Sequence, residues 1–183
     1  MTKALNTREK LLFHGRRLLW ARGYSPVSLR QIAKAADVDV ALISRYFGGK
    51  MGLFDATLAD AFDDPSALAK STEQLMDLMT QLFVTAPRGG ETPSVVRMIL
   101  SNAHDDDVGE KVRNLTHEKF YAPLLAIIGC PARTALFMSV LLGISVVEKT
   151  IKLPDYPAPS TATYEAQLRH MMQAALSYSG ETQ

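Results

Sequence analysis

The sequence contains few of the features that mark an enzyme or a secreted protein. Its single cysteine, Cys130, cannot form an internal disulfide, which favours a reducing compartment and predicts a cytoplasmic location. There is no glycine-rich phosphate loop, nucleophile elbow or cysteine pair, and His117-Glu118 lacks the second histidine of a zinc-protease helix. We therefore expect no enzymatic activity, no catalytic residues, no cofactor and no metal site.

Signals for export or membrane insertion are also lacking. Arg16-Arg17 interrupts the first apolar stretch, so no signal peptide is predicted. The longest charge-free stretch near the C-terminal half, residues 134–147, is shorter than the roughly 20 apolar residues that span a bilayer. We expect no membrane partner.

The net charge of the chain is small, but positive and negative side chains are unevenly distributed along it. The formal net charge is only +1, yet residues 1–52 carry 10 basic and 3 acidic side chains and so a net +7, which leaves −6 for the remainder. A basic segment attached to an acidic one suits a protein that holds a polyanion at one end. One acidic stretch, His104-Asp105-Asp106-Asp107, lacks the ligand spacing of a calcium or zinc loop, and we interpret its carboxylates as helix caps and solvated charge.

The segment from Ser28 to Lys50 predicts two short amphipathic helices joined by a tight turn. Ser28 and Gln31 form a capping-box pattern at the start of the first helix. Asp37 stands where the chain must adopt the left-handed conformation, which Asp tolerates better than most residues. Asp39 is a suitable N-cap for the second helix. Helix pairs of this kind also occur in ordinary helical cores, so this pattern alone leaves the function open.

The second helix of the pair is expected to have one buried and one exposed face. Ile43 and Phe47 fall on the inward side at helical spacing. The outward side is small and apolar apart from one hydroxyl and one guanidinium. Such a face suits a DNA major groove, because methyl groups meet thymine there and Arg meets guanine. The residues of this outward side are Val40, Ala41, Ser44 and Arg45, with Leu42 at its margin.

Three motifs follow one another in the first third of the chain: Ala21-Arg22-Gly23-Tyr24, then Ser28…Ile32-Ala33…Ala36…Val38, then Ile43-Ser44-Arg45-Tyr46-Phe47-Gly48-Gly49-Lys50 before Leu53-Phe54. In this combination and order they resemble the N-terminal domain of the TetR family of bacterial transcriptional regulators. The resemblance implies an all-α fold, with an N-terminal three-helix helix-turn-helix DNA-binding domain over residues 1–52. A C-terminal helical ligand-binding and dimerisation domain is expected over residues 53–183.

The expected DNA contacts divide into phosphate contacts and base contacts. The resemblance implies phosphate contacts at Tyr46 and Lys50, and the hydroxyl and free amides at the helix start make Ser28 a third candidate. The outward side of the second helix would set sequence preference. The full set of predicted DNA-binding residues is Ser28, Arg30, Val40, Ala41, Leu42, Ser44, Arg45, Tyr46 and Lys50. Arg8, Arg16 and Arg17 on the first helix are further phosphate candidates, and a solvated helix face explains them equally well.

The helix predicted to begin at Pro131 indicates a dimer. Between residues 135 and 147 it is apolar nearly all round, so it needs burial on two sides. We expect it to pair, together with the last helix, with its copies in a four-helix bundle, which is also the arrangement implied by the resemblance. A monomeric core is the alternative. The predicted interface residues are Ala135, Ser139, Leu142, Gly143, Tyr164, Leu168, Met171 and Met172.

The remaining expectation concerns a signal. Met and aromatic side chains on the C-terminal helices suit an adaptable apolar pocket, although each is also an ordinary core residue. The predicted ligand-binding residues are Met76, Met79, Phe83, Met98, Phe120, Tyr121 and Phe137. We expect a repressor that binds a palindromic site as a homodimer and is released by a small apolar or aromatic effector. The alternative is a DNA-bound structural or interaction protein without an inducer.

Overall fold

A computed structural model describes residues 6–59, 69–85, 93–158 and 161–180 of the chain. Regular structure in these residues is helical throughout, which confirms the predicted all-α class. Ten α-helices are described: α1 Thr7–Arg22, α2 Leu29–Ala36, α3 Ala41–Phe47, α4 Lys50–Leu58, α5 Thr72–Thr85, α6 Val95–Asn102, α7 Gly109–Thr116, α8 Ala122–Ile128, α9 Pro131–Val146 and α10 Ala162–Leu176. Turns of π-helix follow α7 and α9, at His117–Tyr121 and Val147–Ile151.

The chain forms two compact units. The first unit comprises the described residues of 1–63 and 90–114, and the second unit comprises those of 64–89 and 115–183. Packing thus places α4, α6 and most of α7 in the first unit, whereas the sequence suggested one C-terminal domain from residue 53 onwards. From the sequence, Asp64 and Ser160 are expected to cap helices, but both lie outside the described residues; the N-cap of α10 is Thr161.

The sequence pattern predicts a capping box of Asn6 and Glu9 at the start of α1 and a glycine cap at its end, and both are confirmed. Asn6 and Glu9 form a reciprocal capping box at its start, and Gly23 ends it with a φ of 92°. Leu11 and Leu19 are completely buried on the stripe that faces α2, α4 and α6. The first unit is therefore built around α1.

A polar contact fixes the end of α4 on α1. The indole nitrogen of Trp20 donates to the hydroxyl of Thr57 at 3.0 Å, and that hydroxyl donates to the carbonyl of Phe54 at 2.7 Å. The Arg16 guanidinium donates twice to the Thr57 carbonyl, at 2.8 and 3.1 Å, while it lies over the Trp20 ring. Arg16 thus has a packing role in the first unit, which neither of its two sequence-based interpretations, phosphate contact or solvated face, indicated.

Side chains of α6 satisfy the carbonyl groups at the C-terminal end of α1. The last four carbonyl groups of a helix lie beyond its regular hydrogen-bond ladder, so they accept from capping residues or from donors elsewhere in the fold. The fully buried Asn102 donates to the Leu19 carbonyl at 3.2 Å, and Arg97 donates to the Ala21 carbonyl at 3.2 Å. Met98, one turn before Asn102, is completely buried. The α6 helix is therefore part of the same core as α1.

The second unit has a core formed by α5, α8, α9 and α10. Its largest buried side chains come from all four helices and form one cluster: Leu75, Met79, Phe83, Leu124, Phe137, Ile144, Tyr164, Leu168 and Met172. The Tyr164 hydroxyl donates to a carboxylate oxygen of Glu148 at 2.8 Å, which satisfies the polar end of the buried ring. This cluster covers one side of α9.

The other side of α9 is apolar and exposed. The continuous helical stretch Pro131–Ile151 has 21 residues, and its most apolar 18-residue window has a mean hydropathy of 1.6 with only 22% of that window buried. By length and composition this stretch could cross a membrane. The charge-free residues 134–147 make up only part of it, and the prediction based on them therefore underestimated the length of the apolar helix. Helices at the core of a protein or at a subunit interface have the same composition.

We predict that Thr57→Val destabilises the first unit by about 1–2 kcal/mol, because it leaves the Trp20 N–H buried without an acceptor. Urea unfolding followed by Trp20 fluorescence and circular dichroism measures this loss. The matched control is Thr80→Val, since Thr80 is also buried but its hydroxyl donates to the Met76 carbonyl of its own helix. Equal losses in both variants would contradict the role assigned to the indole contact.

Candidate nucleic-acid interface

The turn between α2 and α3 has the predicted geometry. Asp37 adopts the left-handed conformation, with φ 53° and ψ 52°, and its amide donates to the carbonyls of Ala33 and Lys34. The capping box at the start of α2 is also confirmed, since the Ser28 amide donates to Gln31 at 2.7 Å. These local interactions fix the angle at which α3 leaves α2.

The N-cap of α3 lies one residue later than predicted, at Val40 and not at Asp39. Val40 occupies the N-cap position and Ala41 begins the helix. The Asp39 carboxylate still accepts a hydrogen bond from the Ala41 amide, at 2.7 Å. Asp39 therefore still caps the first turn with its side chain, although it lies one residue before the N-cap position.

The two faces of α3 are separated as predicted by helical spacing. Ile43 is completely buried, and Phe47 is half-buried beneath the Arg8 guanidinium, which lies 5.2 Å from the ring centroid. The opposite face consists of exposed side chains together with the half-buried Leu42. These exposed residues are Val40, Ala41, Ser44, Arg45 and Tyr46. The structure thus places together the side chains for which base contacts are predicted.

The candidate phosphate contacts flank this face. Ser28 and Arg30 are exposed at the start of α2, and Lys50 begins α4. The Lys50 ammonium lies 4.2 Å from the centroid of the Tyr24 ring and 3.5 Å from the Ser25 carbonyl oxygen. Burial lowers the pKa of Lys50, against the opposing effect of nearby carboxylates. Lys50 is therefore anchored to the loop between α1 and α2, an arrangement that its sequence neighbours do not indicate.

The residues predicted to bind an effector do not form one group. Met98 lies in the first unit, whereas Met79, Phe83 and Phe137 are buried in the core of the second unit, with Met76 packed against it. The other two predicted residues, Phe120 and Tyr121, are half-buried on the π-helical turn after α7. Met98 is thereby reassigned to the core beneath α1, because hydropathy cannot indicate which core an apolar side chain joins.

The predicted interface residues divide into exposed and buried sets. On α9, Ala135, Ser139 and Gly143 are exposed and Leu142 is half-buried, as is Met171 on α10. By contrast, three residues of α10 are at most 1% exposed and belong to the core of their own unit: Tyr164, Leu168 and Met172. Their four-residue spacing marks the face toward α5 and α9 in the same chain, so they are corrected from interface to core.

An open groove of about 370 Å³ runs along the exposed side of α9 and α10. Ser139, Gly143 and Met171 line it, together with Tyr156 and His170. In the described residues, no group of three or more His, Cys, Asp or Glu side chains is arranged to hold a metal ion. The groove is therefore an apolar surface feature of the second unit.

Two family models match the chain. The model described as "Bacterial regulatory proteins, tetR family" matches residues 11–57, and the model "Tetracyclin repressor-like, C-terminal domain" matches residues 73–176. A curated relative, the probable HTH-type transcriptional regulator YttP of Bacillus subtilis (strain 168), is 33% identical over 84 residues. That match covers 43% of this chain and 41% of YttP, so the chain spans about two fifths of the relative's length.

Solved structures show the same fold at low sequence identity. HlyIIR, a hemolysin II transcriptional regulator, has a TM-score of 0.64 at 20% identity, covering 92% of this chain and 96% of its own. AmtR of Mycobacterium smegmatis has a TM-score of 0.62 at 18% identity, covering 98% of this chain and 90% of its own.

The matched families and relatives are transcriptional regulators and not enzymes. This agrees with the absence of catalytic motifs from the sequence. On the strength of the two family models, the chain belongs to the tetR family of bacterial regulatory proteins, which are helix-turn-helix transcriptional regulators that bind DNA.

Proposed function

We propose that the protein is a cytoplasmic transcriptional repressor that binds a palindromic DNA site as a homodimer and is released by a small apolar or aromatic effector. The observation that carries the DNA-binding part is the exposed face of α3. It combines small apolar side chains with Arg45, while Ile43 on the other side is completely buried. Rigid attachment of one face leaves the other free for a major groove.

The charge distribution supports this orientation. The net charge of +7 in residues 1–52 supplies the sequence-independent attraction to phosphate groups. Four residues around the exposed face of α3 are proposed to bind phosphate groups of the DNA backbone. They are Ser28 and Arg30 at the start of α2, Tyr46 in the last turn of α3 and Lys50 at the start of α4. Val40, Ala41, Leu42, Ser44 and Arg45 are proposed to read the bases between them.

Dimerisation is supported by the exposed side of α9. An 18-residue window with a mean hydropathy of 1.6, of which only 22% is buried, favours a partner that excludes water from it. Ala135, Ser139 and Gly143 recur at four-residue spacing on this face, so a second helix could approach closely. Two-fold symmetry is the commonest arrangement of identical subunits, and a two-fold dimer matches a palindromic site.

The burial of predicted effector-binding residues in the core of the second unit opposes one part of the proposal, release by an effector. Phe83 and Phe137 are buried in the packed core of the second unit, as is Met79. A filled core favours the alternative function, a DNA-bound structural or interaction protein with no inducer. An effector that enters here would have to separate these side chains, which requires a ligand that replaces their apolar contacts.

For DNA binding, we predict that Arg45→Ala lowers affinity for the preferred sequence about tenfold or more and leaves affinity for unrelated DNA nearly unchanged, because it removes a contact to guanine. Lys50→Ala should instead weaken all sequences alike. Selection from genomic fragments, followed by titrations at two salt concentrations, measures both. Arg45→Lys is the control that keeps the charge but loses the two-pronged hydrogen bond. Full selectivity in the Ala variant would contradict base reading by Arg45.

For dimerisation, we predict that Gly143→Leu yields a monomer that keeps the parental helical content by circular dichroism but unfolds at a lower midpoint, because the stabilisation by the partner subunit is lost. A Cβ atom at this position would meet nothing within 4 Å in the single chain, so only a partner helix would clash with the new side chain. Sedimentation velocity measures the mass. Ala126→Leu, which also places a Leu side chain at an exposed position, on α8, is the control. A Gly143 variant that remains dimeric would place the interface elsewhere.

For the effector, we predict that an apolar aromatic compound exists that raises the thermal midpoint of the protein and lowers its affinity for the selected DNA. A compound panel, read by fluorescence anisotropy of labelled DNA, tests this. Phe83→Trp, which adds bulk to the core, should prevent the release but retain DNA binding. If compounds that bind the protein leave its DNA affinity unchanged, the function without an inducer is favoured.

A further inference from the structure

The loop between α6 and α7 contacts the loop between α1 and α2 through one carboxylate. The amide of Ser25 donates to Oδ2 of Asp105 at 3.0 Å, across 80 positions of sequence. Oδ1 of the same carboxylate accepts from the amides of Asp107 and Val108, at 3.0 and 3.3 Å. One oxygen therefore caps the turn that leads into α7, and the other oxygen binds a distant segment.

The peptide group after Ser25 is held as well. Its carbonyl oxygen is 3.5 Å from the Lys50 ammonium, which also lies over the neighbouring Tyr24 ring. Ser25 is three residues before Ser28, the N-cap of α2. Asp105 and Lys50 thus hold the same residue from two sides, next to the helix start that is proposed to bind phosphate.

Asp105 is ionised at neutral pH. Burial by itself would raise the pKa of its carboxyl group, but hydrogen bonds from Ser25, Asp107 and Val108 outweigh burial and lower the pKa. The contact with the Ser25 amide is therefore a charge-assisted hydrogen bond, which is stronger than one between neutral groups.

The segment that carries Asp105 is anchored on both sides. Before the loop, Arg97 and Asn102 donate to carbonyl groups at the end of α1. After the loop, the Lys111 ammonium pairs with the carboxylate of Asp55 on α4. Asp105 is thus presented from a support that contacts both helices flanking the helix-turn-helix segment.

We propose that Asp105 is a positioning residue for DNA binding. It fixes the loop before α2, and through that loop it sets the place of the α2 N-terminus and of the Lys50 ammonium relative to a DNA backbone. This inference rests on the proposed function, and it assigns to a residue outside the helix-turn-helix a role in DNA affinity.

The direction of the expected effect separates positioning from charge. Removing a carboxylate near a DNA-binding surface reduces repulsion of phosphate groups, so electrostatics alone predicts tighter binding. Positioning predicts weaker binding. Asp106 offers the matched control, because it is an exposed Asp in the same loop and its replacement removes the same charge.

The experiment compares Asp105→Asn with Asp106→Asn in the full chain. An Asn side chain has one acceptor oxygen, so it cannot cap the α7 turn and accept from Ser25 at once. We expect affinity for the selected DNA to fall on the order of tenfold in Asp105→Asn, comparable to the loss of one hydrogen bond to a charged group. Affinity of Asp106→Asn should be unchanged or higher. Asp105→Ser, whose hydroxyl can still cap the turn, should weaken binding like Asp105→Asn.

Two further measurements distinguish positioning from general destabilisation. Amide hydrogen exchange without DNA should show lost protection at Ser25 in Asp105→Asn and unchanged protection in the α1 core. A double-mutant cycle with Lys50→Ala should be non-additive, since both side chains act through Ser25.

Each contrary outcome overturns the inference in a recognisable way. Unchanged exchange at Ser25 would show that the contact does not hold the loop. Lost protection with parental DNA affinity would leave Asp105 a purely structural residue. If the parent protein itself selects no DNA sequence, the proposed function fails, and the positioning role fails with it.

Discussion

The first unit depends on how α6 packs against the C-terminal end of α1, where side chains of α6 bind two backbone carbonyl groups of the last helical turn. Asn102 and Arg97 of α6 donate to them, although about 80 residues separate the two helices. The Leu19 carbonyl also accepts from the amide of Gly23 at 3.1 Å, and the Ser101 hydroxyl of α6 is a further donor to the Ala21 carbonyl, at 3.5 Å. The helix-turn-helix segment therefore packs on an α1 that is itself completed by α6, and the DNA-reading surface is supported by residues far from it in sequence.

The division of α3 into two faces connects this support to recognition. Ile43 anchors the helix to the core, so the orientation of Arg45 follows from packing on the opposite side. Helical spacing correctly predicted that Ile43 is buried and Arg45 is exposed. The two residues differ sharply in hydropathy and lie about 200° apart around a helix. The capping box at Ser28 and the left-handed Asp37 were equally predictable, since each depends on atoms within a few residues.

The second unit shows where the same reasoning fails. Periodicity identified Tyr164, Leu168 and Met172 as an apolar stripe of α10 but could not say whether the stripe faces another copy or the same chain. The structure assigns it to the core with Phe137. On α9, apolar residues occur on all sides, so hydropathy gave no orientation; the prediction of a partner-facing side rested on the small residues Ala135, Ser139 and Gly143, which are exposed in the single chain.

The sequence by itself determined the helical class, the helix-turn-helix, its caps and the basic N-terminal end, because each of these depends on neighbouring residues or on composition. Tertiary structure alone decided the partners of Arg16, Lys50 and Asp105. Arg16 could have faced solvent, Lys50 could have extended freely, and Asp105 could have been one of three equivalent carboxylates in a loop. Contacts between residues separated by 25 to 80 positions arise only when helices pack, and no local pattern records them.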